Sequence, residues 1–338
     1  MRAVPPRAAA MIKVGRRCLA LVLALIPAAA PAVDAPRAQP VAPPPGVLAI
    51  SIRNPLDGVA EPAWFLPNPS SDPAPLLVHL HSWSARLGEA SLAKDCLKRG
   101  WALVSPNFRG PNNRPEACAS PLAVQDVLAA VAHVRQTTAV DPRRIYLIGG
   151  SGGGHMALMM AQAAPELWAG VSAWVPITDL AAWHAFSKTK PSAYAKMMEQ
   201  ACGGPPGSPA TDAEYRARSP LFHLARAVGV PIDIQVGLRD GHEGSVPVSN
   251  SLRAFNVLAE ANGQAGRSLS AGDIGSITAT ARLPEGLVSD PHDEPARKRP
   301  ILFRRSAGPV RLTIFDGAHE SDFAPAVRWL AQQQKPHP

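Results

Sequence analysis

Cysteine is scarce in this sequence, with four residues among 338. If an amino-terminal leader that contains Cys18 is removed, Cys96, Cys118 and Cys202 remain. Three cysteines can form at most one intramolecular disulfide bond in an oxidising compartment. We expect Cys96 to be a buried thiol within a helix, and Cys118 and Cys202 to lie in loops as the pair available for that bond. No spacing of these residues resembles a zinc site. We therefore expect neither a metal nor another cofactor.

Motifs for nucleotide and nucleic-acid binding are also missing. In the glycine-rich run Gly149–Gly154, His155 follows where G-x-G-x-x-G needs its last glycine, and no G-K-[ST] follows. The formal net charge is +8, but residues 1–32 contain five basic residues and no acidic one, which leaves 8 − 5 = +3 for the remainder. No basic stripe with interleaved aromatic residues is present, and we expect the segment Arg297–Arg299 to be a solvated loop. We expect no nucleic-acid partner.

The first 32 residues have the pattern of a secretory signal peptide. Basic residues precede the apolar run Cys18–Ile26, and Ala30–Ala32 has the A-x-A form of a cleavage site. The apolar run is too short to anchor the chain, so we expect no membrane span after cleavage. A proline-rich linker over 33–46 follows. The pattern predicts an exported protein, located in the periplasm or outside the cell.

The most informative segment of the sequence joins an apolar run to a helical pattern through Gly149–Gly153, which reads G-x-S-x-G. A nucleophile elbow needs this context, because its serine sits on a sharp turn between a strand and a helix. Glycine at both ends of the motif lets the two backbones pass where a Cβ atom would clash. Ser151 is therefore the predicted nucleophile.

An acid and a histidine follow Ser151 in the order that triads built on such elbows use. Asp240 comes at the end of a predicted strand, and His319 comes after another predicted strand, Val310–Phe315. The carboxyl ends of parallel strands share one edge of a sheet, where open α/β sheets place their chemistry. We therefore expect the three side chains to meet there.

Several nearby residues have competing interpretations. Asp233 lies in mid-strand and is the weaker acid candidate, while His242 is the alternative to His319 as base. His79 and His81 lie two apart on a strand, as metal ligands do, but a loop that leads to an oxyanion site explains them better. Four other residues are interpreted as packing residues: His155, Trp83, Trp174 and Trp183. For the three tryptophans, a sugar-stacking pocket is the alternative interpretation.

Strand and helix patterns alternate along the chain. This alternation predicts an α/β fold, a doubly wound and mostly parallel sheet covered by helices on both faces. We place this domain over 47–335. Two segments interrupt the alternation: 176–230 is turn-rich and is interpreted as a lid insertion, and 262–300 is polar and is expected to be a long surface loop.

From about Pro75 to about Leu330, the chain resembles an α/β-hydrolase and, within that superfamily, the catalytic domain of the prolyl oligopeptidase (S9) family. The matching motifs are His81-Ser82-Trp83 after a strand, Asn107-Phe108-Arg109-Gly110, the serine elbow, Gly237 to Pro247, and Gly317-Ala318-His319. The resemblance implies Ser151 as nucleophile, Asp240 as orienting acid and His319 as base. In two departures, Ser82 replaces the usual glycine after His81, and at this length we expect none of the β-propeller that typical members carry.

The predicted chemistry is hydrolysis of a peptide or carboxylic ester bond through an acyl-enzyme on Ser151. His319 would take the serine proton, and Asp240 would fix the tautomer of the imidazole. The backbone N–H groups of Gly152 and Trp83 are the expected donors of the oxyanion hole. An acyltransferase and a non-catalytic binding protein on the same fold are the alternatives. The expected partner is a small-molecule ester or a short peptide.

Overall fold

The computed structural model describes Met1 and residues 42–336 apart from 86, 88, 89 and 295. The predicted signal peptide (1–32) and most of the predicted linker (33–46) lie outside the described residues. The strands are β1 (Leu48–Arg53), β2 (Ala60–Leu66), β3 (Ala74–Leu80), β4 (Ala102–Pro106), β5 (Val140–Gly150), β6 (Gly170–Trp174), β7 (Ile232–Gly237), β8 (Ile301–Ala307) and β9 (Val310–Phe315).

Helices fill most of the connections between these strands. They are α1 (Ala90–Arg99), α2 (Pro121–Thr137), α3 (Gly152–Ala163), α4 (Leu180–Ser187), α5 (Tyr194–Cys202), α6 (Pro209–Ala217), α7 (Ser249–Ala261), α8 (Ala271–Thr280) and α9 (Phe323–Leu330). Short 3₁₀ turns occur at Pro220–Phe222, Leu224–Ala227 and Ala265–Arg267. None of the helices in this part of the chain combines the length and apolar character that crossing a membrane requires.

The strands form one sheet in the order β1-β2-β4-β3-β5-β6-β7-β9-β8. The central strands from β4 to β9 pair in parallel, whereas β1–β2, β2–β4 and β8–β9 pair antiparallel. The predicted doubly wound, mostly parallel α/β fold is confirmed. The parallel strands all direct their carboxyl ends to one edge, which positions the loops after β5, β7 and β9 together.

Local sequence explains why these elements form. Strand β3 is apolar at successive positions, and Leu76, Leu77 and Val78 are completely buried, as expected for a strand covered on both faces. Helix α2 begins where Ser120 accepts a hydrogen bond from the Ala123 N–H (3.2 Å), with proline at its first position. This helix packs against β1, β2 and β4.

The insertion between β6 and β7 contains α4, α5 and α6 and has its own apolar cluster. The cluster also includes Trp83 from the loop after β3 and Val246 from the loop after β7. The insertion therefore packs onto the loops at the carboxyl edge of the sheet. The buried members of the apolar cluster are Trp83, Cys118, Ile177, Leu180, Trp183, Met198, Ala201, Cys202, Tyr215 and Val246.

The expected surface loop over 262–300 is partly helical, so that prediction was wrong for its central part. Helix α8 begins at Ser270, whose hydroxyl accepts a hydrogen bond from the Asp273 N–H (3.0 Å). Ile277 is completely buried in the main core and Ile274 packs against it. One narrow apolar stripe suffices to hold this helix on the core, although the segment is polar overall.

The cysteines differ in part from expectation. Cys96 is a buried thiol within α1, as predicted. Cys202 is the last residue of α5 rather than part of a loop, and the expected bond with Cys118 is absent. Both thiols are buried in an apolar cluster, and burial raises the pKa of Cys202 to about 11. The thiolate form that attacks a disulfide is therefore disfavoured in the folded chain.

Candidate active site

Ser151, Asp240 and His319 meet at the carboxyl edge of the sheet. Ser151 lies between β5 and α3, Asp240 follows β7, and His319 follows β9. The Nε2 atom of His319 is 2.8 Å from the Ser151 Oγ atom, and its Nδ1 atom is 2.8 Å from the Oδ2 atom of Asp240. The structure thus brings the three side chains together, with the imidazole bridging the alcohol and the carboxylate.

The turn that carries Ser151 requires glycine on both sides. Ser151 itself has φ 58° and ψ −119°, a conformation that a residue with a side chain rarely adopts. A Cβ atom on Gly149 would lie 2.4 Å from the carbonyl carbon of Gly153, and one on Gly153 would lie 2.1 Å from the Leu80 oxygen. Only glycine permits this approach of β5, α3 and β3, which leaves the serine hydroxyl clear of the sheet.

The carboxylate of Asp240 is enclosed by its own loop. Asp240 is 1% exposed, and its Oδ1 atom accepts a hydrogen bond from the Val246 N–H (3.1 Å). A Cβ atom on Gly244 would lie 2.3 Å from Asp240 Oδ1 and 2.7 Å from the His319 Cβ atom. The loop therefore covers the contact between Asp240 and His319 and directs the second carboxylate oxygen to the imidazole.

The two alternative members considered for this triad lie elsewhere. Asp233 is buried and contacts Arg311, whose Nε atom is 2.7 Å from Asp233 Oδ1. The Nε2 atom of His242 is 2.9 Å from the Thr278 carbonyl oxygen. Neither side chain contacts Ser151.

The backbone amides expected to form an oxyanion hole are adjacent. Gly152 is the first residue of α3, so its N–H lies at the positive end of the helix. A Cβ atom on Gly152 would lie 2.4 Å from the Trp83 nitrogen, which shows how closely the loop after β3 approaches the elbow. The backbones of Gly152 and Trp83 are therefore in close contact next to Ser151.

A buried asparagine that the sequence analysis did not single out holds this loop. The carbonyl oxygen of Trp83 accepts hydrogen bonds from the Asn112 backbone N–H (3.0 Å) and Nδ2 group (3.3 Å). The Oδ1 atom of Asn112 accepts from the Cys118 N–H (2.7 Å), and Arg218 donates to the neighbouring Ala117 carbonyl (2.8 Å). Contacts between a loop side chain and distant backbone leave no periodic signal in a sequence.

The remaining imidazoles are held apart from one another. His81 stacks on Phe108 with ring centroids 3.8 Å apart, and its Nε2 atom is 2.7 Å from the Asn107 carbonyl oxygen. His155 is buried, with Nε2 2.7 Å from the Arg218 carbonyl oxygen, and burial lowers its pKa to about 4. Within the described residues, no group of three or more His, Cys, Asp or Glu side chains is arranged to hold a metal ion.

The tryptophans considered for sugar stacking are buried packing residues. Trp83 and Trp183 contact edge to face, with centroids 4.7 Å apart, and the Trp183 indole N–H donates to the Ser245 carbonyl (2.8 Å). Trp174 donates to the Ser172 hydroxyl at 3.2 Å. Each of the three is no more than 2% exposed. Trp83 alone of the three lines the cavity beside Ser151.

A cavity of 410 Å³, called cavity A, opens beside Ser151. It is lined by the end of β3 and the loop after it, by Gly150 and Ser151, by Tyr194 of α5, and by residues that follow His319. A second cavity of 350 Å³ shares Tyr194 and His319 with it and is also lined by Phe186, Lys190 and Glu243. The two cavities therefore adjoin at Tyr194 and His319.

The segment expected to be a solvated basic loop is attached to the loop of His319. The Lys298 N–H donates to Asp322 Oδ2 (2.9 Å), and the Arg299 Nε group donates to Glu320 (3.0 Å). The side chain of Arg297 is only 5% exposed and contacts Glu294. The prediction was therefore wrong for Arg297, whose charge is satisfied by a carboxylate close in the chain.

Comparisons with known proteins identify a family and relatives of this chain. The model of the prolyl oligopeptidase family (peptidase S9) matches residues 90–269. Acylamino-acid-releasing enzyme 2 of Oryza sativa subsp. japonica is 24% identical over 241 residues, which cover 64% of this chain and 30% of the relative. The acylamino-acid-releasing enzyme of Arabidopsis thaliana is 23% identical over 197 residues, covering 55% of this chain and 25% of the relative. The chain thus spans less than a third of the length of these relatives.

Solved structures share the fold. An acylaminoacyl peptidase of Pyrococcus horikoshii has a TM-score of 0.55 at 17% identity, over 83% of this chain and 38% of that chain. A puromycin-hydrolyzing peptidase of Mycobacterium tuberculosis has a TM-score of 0.54 at 20% identity, over 70% of this chain and 38% of that chain. At these identities the likeness concerns the arrangement of the sheet and helices.

Proposed function

The chain belongs to the prolyl oligopeptidase family, and from that premise we propose that it is an exported serine hydrolase that cleaves a peptide or carboxylic ester bond through an acyl-enzyme on Ser151. One observation carries the proposal. The imidazole of His319 lies 2.8 Å from both the alcohol of Ser151 and the carboxylate of Asp240. This is hydrogen-bond distance on both sides, the arrangement that activates a serine.

The proposed reaction has two halves that use the same base. As the Ser151 oxygen attacks the carbonyl carbon, Nε2 of His319 accepts the hydroxyl proton and then donates it to the leaving group. Water next attacks the acyl-enzyme and its proton passes to His319, which returns it to the Ser151 oxygen as the bond to the acyl group breaks and the carboxylic acid is released. Asp240 accepts the Nδ1–H hydrogen bond, which fixes the tautomer and stabilises the imidazolium that forms.

Charge on the tetrahedral intermediate would be stabilised by backbone amides. The proposed donors are the N–H groups of Gly152, at the N-terminus of α3, and Trp83. Support comes from the close approach of the two backbones and from the hydrogen bonds with which Asn112 fixes the Trp83 peptide. A preorganised donor of this kind contributes about a hundredfold or more to turnover.

Among possible bonds, we favour a peptide or similar amide. The relatives carry the names acylamino-acid-releasing enzyme, acylaminoacyl peptidase and puromycin-hydrolyzing peptidase. An amide nitrogen must be protonated as it leaves, and His319 Nε2 would supply that proton after taking it from Ser151. An ester passes through the same intermediate with a better leaving group, so esterase activity is the natural accompaniment.

Export is proposed from the leader alone. Basic residues, an apolar run and the A-x-A site ending at Ala32 favour cleavage after that residue. Amino-terminal sequencing of protein recovered from the periplasm or the culture medium tests this part of the proposal. A mature chain that still begins at Met1 or Met11 and stays with the cytosolic fraction would contradict it.

A fluorophosphonate probe tests the catalytic part. The wild type should be labelled on Ser151, and Ser151→Ala should not be labelled. Matched panels of p-nitrophenyl esters and N-acylaminoacyl p-nitroanilides then separate esterase from peptidase activity. Absence of labelling in a folded wild type would favour a non-catalytic binding protein, and transfer of the acyl group to an added alcohol in preference to water would favour an acyltransferase.

A further inference from the structure

One part of cavity A, called here its floor, carries two polar side chains. His79 and Ser321 line it together with Gly150, Ser151 and Phe323. Enclosed cavities that bind apolar substituents are lined by hydrophobic side chains, with polar groups only where a ligand must be oriented. An imidazole and a hydroxyl next to Ser151 therefore indicate that this part of the cavity binds a polar group.

Strand register places His79 beside the nucleophile turn. His79 on β3 pairs with Ile148 on β5, and Gly150 lies two residues further on, on the same face of the sheet. A Cβ atom on Gly150 would lie 2.2 Å from the Ser321 hydroxyl oxygen, so glycine makes room for this hydroxyl. Phe323 contacts His79 edge to face, with centroids 5.9 Å apart, and so packs against its ring.

Both polar groups have unused hydrogen-bonding capacity. The Nδ1 atom of His79 is 3.3 Å from the Ser105 hydroxyl, whereas its Nε2 atom has no protein partner in the described part of the chain. When Ser105 donates to Nδ1, the proton of the neutral ring is on Nε2, which then donates toward the cavity. His79 is only 6% exposed, but Nε2 is not among the fully buried side-chain atoms that lack a partner, so this atom is accessible from cavity A.

The floor carries no charge under ordinary conditions. Burial, and secondarily the neighbouring His81, lower the pKa of His79 to about 3, so the ring is neutral at neutral pH. Among the residues that line cavity A, Glu320 is paired with Arg299. The cavity therefore suits an uncharged group that accepts or donates hydrogen bonds, such as a hydroxyl or an amide.

We propose that His79 and Ser321 form a specificity-determining subsite that binds an uncharged polar group of the substrate, next to the scissile bond. This inference rests on the proposed hydrolase function of Ser151. An apolar substituent placed there would displace water from Nε2 and leave a buried polar atom unpaired. Sites built to hydrogen-bond a substrate discriminate strongly against analogues that lack the group.

Two pairs of esters, matched in size, test the subsite. Lactate and isobutyrate p-nitrophenyl esters differ by hydroxyl against methyl on the acyl side, and ethylene glycol monobenzoate and propyl benzoate differ in the same way on the alcohol side. For the wild type we expect kcat/KM to favour the hydroxyl member of one pair by about tenfold or more. The pair that responds identifies which substituent enters cavity A.

Variants of His79 and Ser321 test whether these residues cause the preference for the hydroxyl member. His79→Leu should lower the preference to about one, and His79→Gln, which keeps a donor, should retain most of it. Leu87→Met, a change at an apolar position of the same cavity, is the matched control and should leave the preference unchanged. If His79→Leu does not fold, Ser321→Ala decides, since it removes a hydrogen-bonding group at the cavity without enlarging the core.

Fluorophosphonate labelling separates two kinds of failure. A wild type that is labelled and hydrolyses esters without preferring either hydroxyl member overturns the subsite alone. So does an unchanged preference in both His79→Leu and Ser321→Ala. A folded wild type that is neither labelled nor active overturns the hydrolase proposal, and the subsite with it.

Discussion

Two buried carboxylates, one in strand β7 and one just after it, differ in their partners. Asp240, beyond the carboxyl end of the strand, faces the imidazole of His319 at 2.8 Å. Asp233, within the strand, faces the guanidinium of Arg311 at 2.7 Å and accepts hydrogen bonds from Ser172 and Gln235. Both are at most 1% exposed, so burial does not distinguish them.

Asp233 belongs to a network of ions, called here the arginine network, formed by Asp233, Glu294, Arg297, Arg304 and Arg311. Glu294 contacts Arg304 (2.8 Å), Arg311 (3.0 Å) and Arg297 (2.6 Å). Burial alone would raise the pKa of Glu294, but Arg304 and Arg311 outweigh it and lower the pKa to about 2. The network links β7, β8 and β9 through ion pairs between arginine side chains and carboxylates.

The comparison teaches what makes a buried carboxylate useful for catalysis. A guanidinium does not release its proton near neutral pH, so the partner of Asp233 cannot pass one on. An imidazole gains and loses a proton in the physiological range, and a carboxylate beside it alters that exchange. The position along the strand decides which partner is within reach. The predictions below test this division between the triad and the arginine network.

The largest effect is expected at the nucleophile. Ser151→Ala should lower kcat by about a millionfold if the triad acts as a unit, because the Ser151 hydroxyl is the group that lies 2.8 Å from His319 Nε2. The arginine network is untouched, so urea unfolding should match the wild type. Steady-state kinetics with an activated ester provide the measurement. Near-wild-type hydrolysis by the variant would place the reaction elsewhere.

Asp240→Asn should lower kcat by about ten thousandfold, because an asparagine N–H can donate to Nδ1 and select the wrong tautomer of His319. The loss should appear in kcat with little change in unfolding by urea. This variant sharpens the comparison most directly, since Asp233→Asn makes the same chemical change within the strand that precedes Asp240. Equal values of kcat for the two variants would show that the two carboxylates do not differ in this way.

Asp233→Asn should lower stability and leave kcat nearly unchanged, the opposite of what we expect for Asp240→Asn. The substitution removes one of the two carboxylates that contact Arg311 and leaves Glu294 as the other, so we expect the free energy of unfolding to fall by about 1.5 to 3 kcal/mol. Residual folded enzyme should retain kcat within a few-fold of the wild type. Chemical denaturation together with active-site titration separates the two quantities. A stable variant that is inactive would move Asp233 into the catalytic machinery.

Glu294→Gln should make the stability difference depend on pH. The folded pKa of Glu294 lies below its ordinary value of 4.5, at about 2, so its contribution is complete above about pH 4.5 and disappears as pH falls toward 2. The variant should therefore be less stable than the wild type at about pH 6 and approach it at about pH 3. A difference of constant size over this range would contradict the assigned pKa.

The smallest effect is expected at His242, the alternative base. Its ring contacts the Thr278 carbonyl oxygen, so His242→Ala should leave kcat/KM unchanged and shift stability by no more than about 0.5 kcal/mol. The kinetic comparison with His319→Ala is the control. A large loss of kcat/KM for His242→Ala alone would exchange the two roles.

The sequence allowed good prediction where the signal was local. Apolar strands followed by helical patterns gave the parallel sheet, and G-x-S-x-G marked the turn at Ser151 because only glycine fits on either side of it. The boundaries of β9, Val310–Phe315, were predicted to the residue. Such features depend on neighbours in the chain and are therefore visible without coordinates.

Features that depend on distant partners were missed. Strand β8 follows a polar segment and forms an edge pair with β9, so its pattern gave little indication of a strand. Arg297 has the carboxylate of Glu294 close in the chain, but it resembled a solvated charge because Gln235, to which it also donates at 2.9 Å, is remote in sequence. Asn112 matters only because the Trp83 carbonyl lies beside it in the fold. None of these contacts has a period or a motif.

The segment Arg297–Arg299 has a consequence for heat inactivation. Arg297 enters the arginine network, while the next two residues hold Glu320 and Asp322, immediately after the catalytic-base candidate His319. The loop that carries His319 is thereby connected to the arginine network by one short stretch of chain. We therefore expect the loop of His319 to unfold on heating together with the arginine network rather than before it.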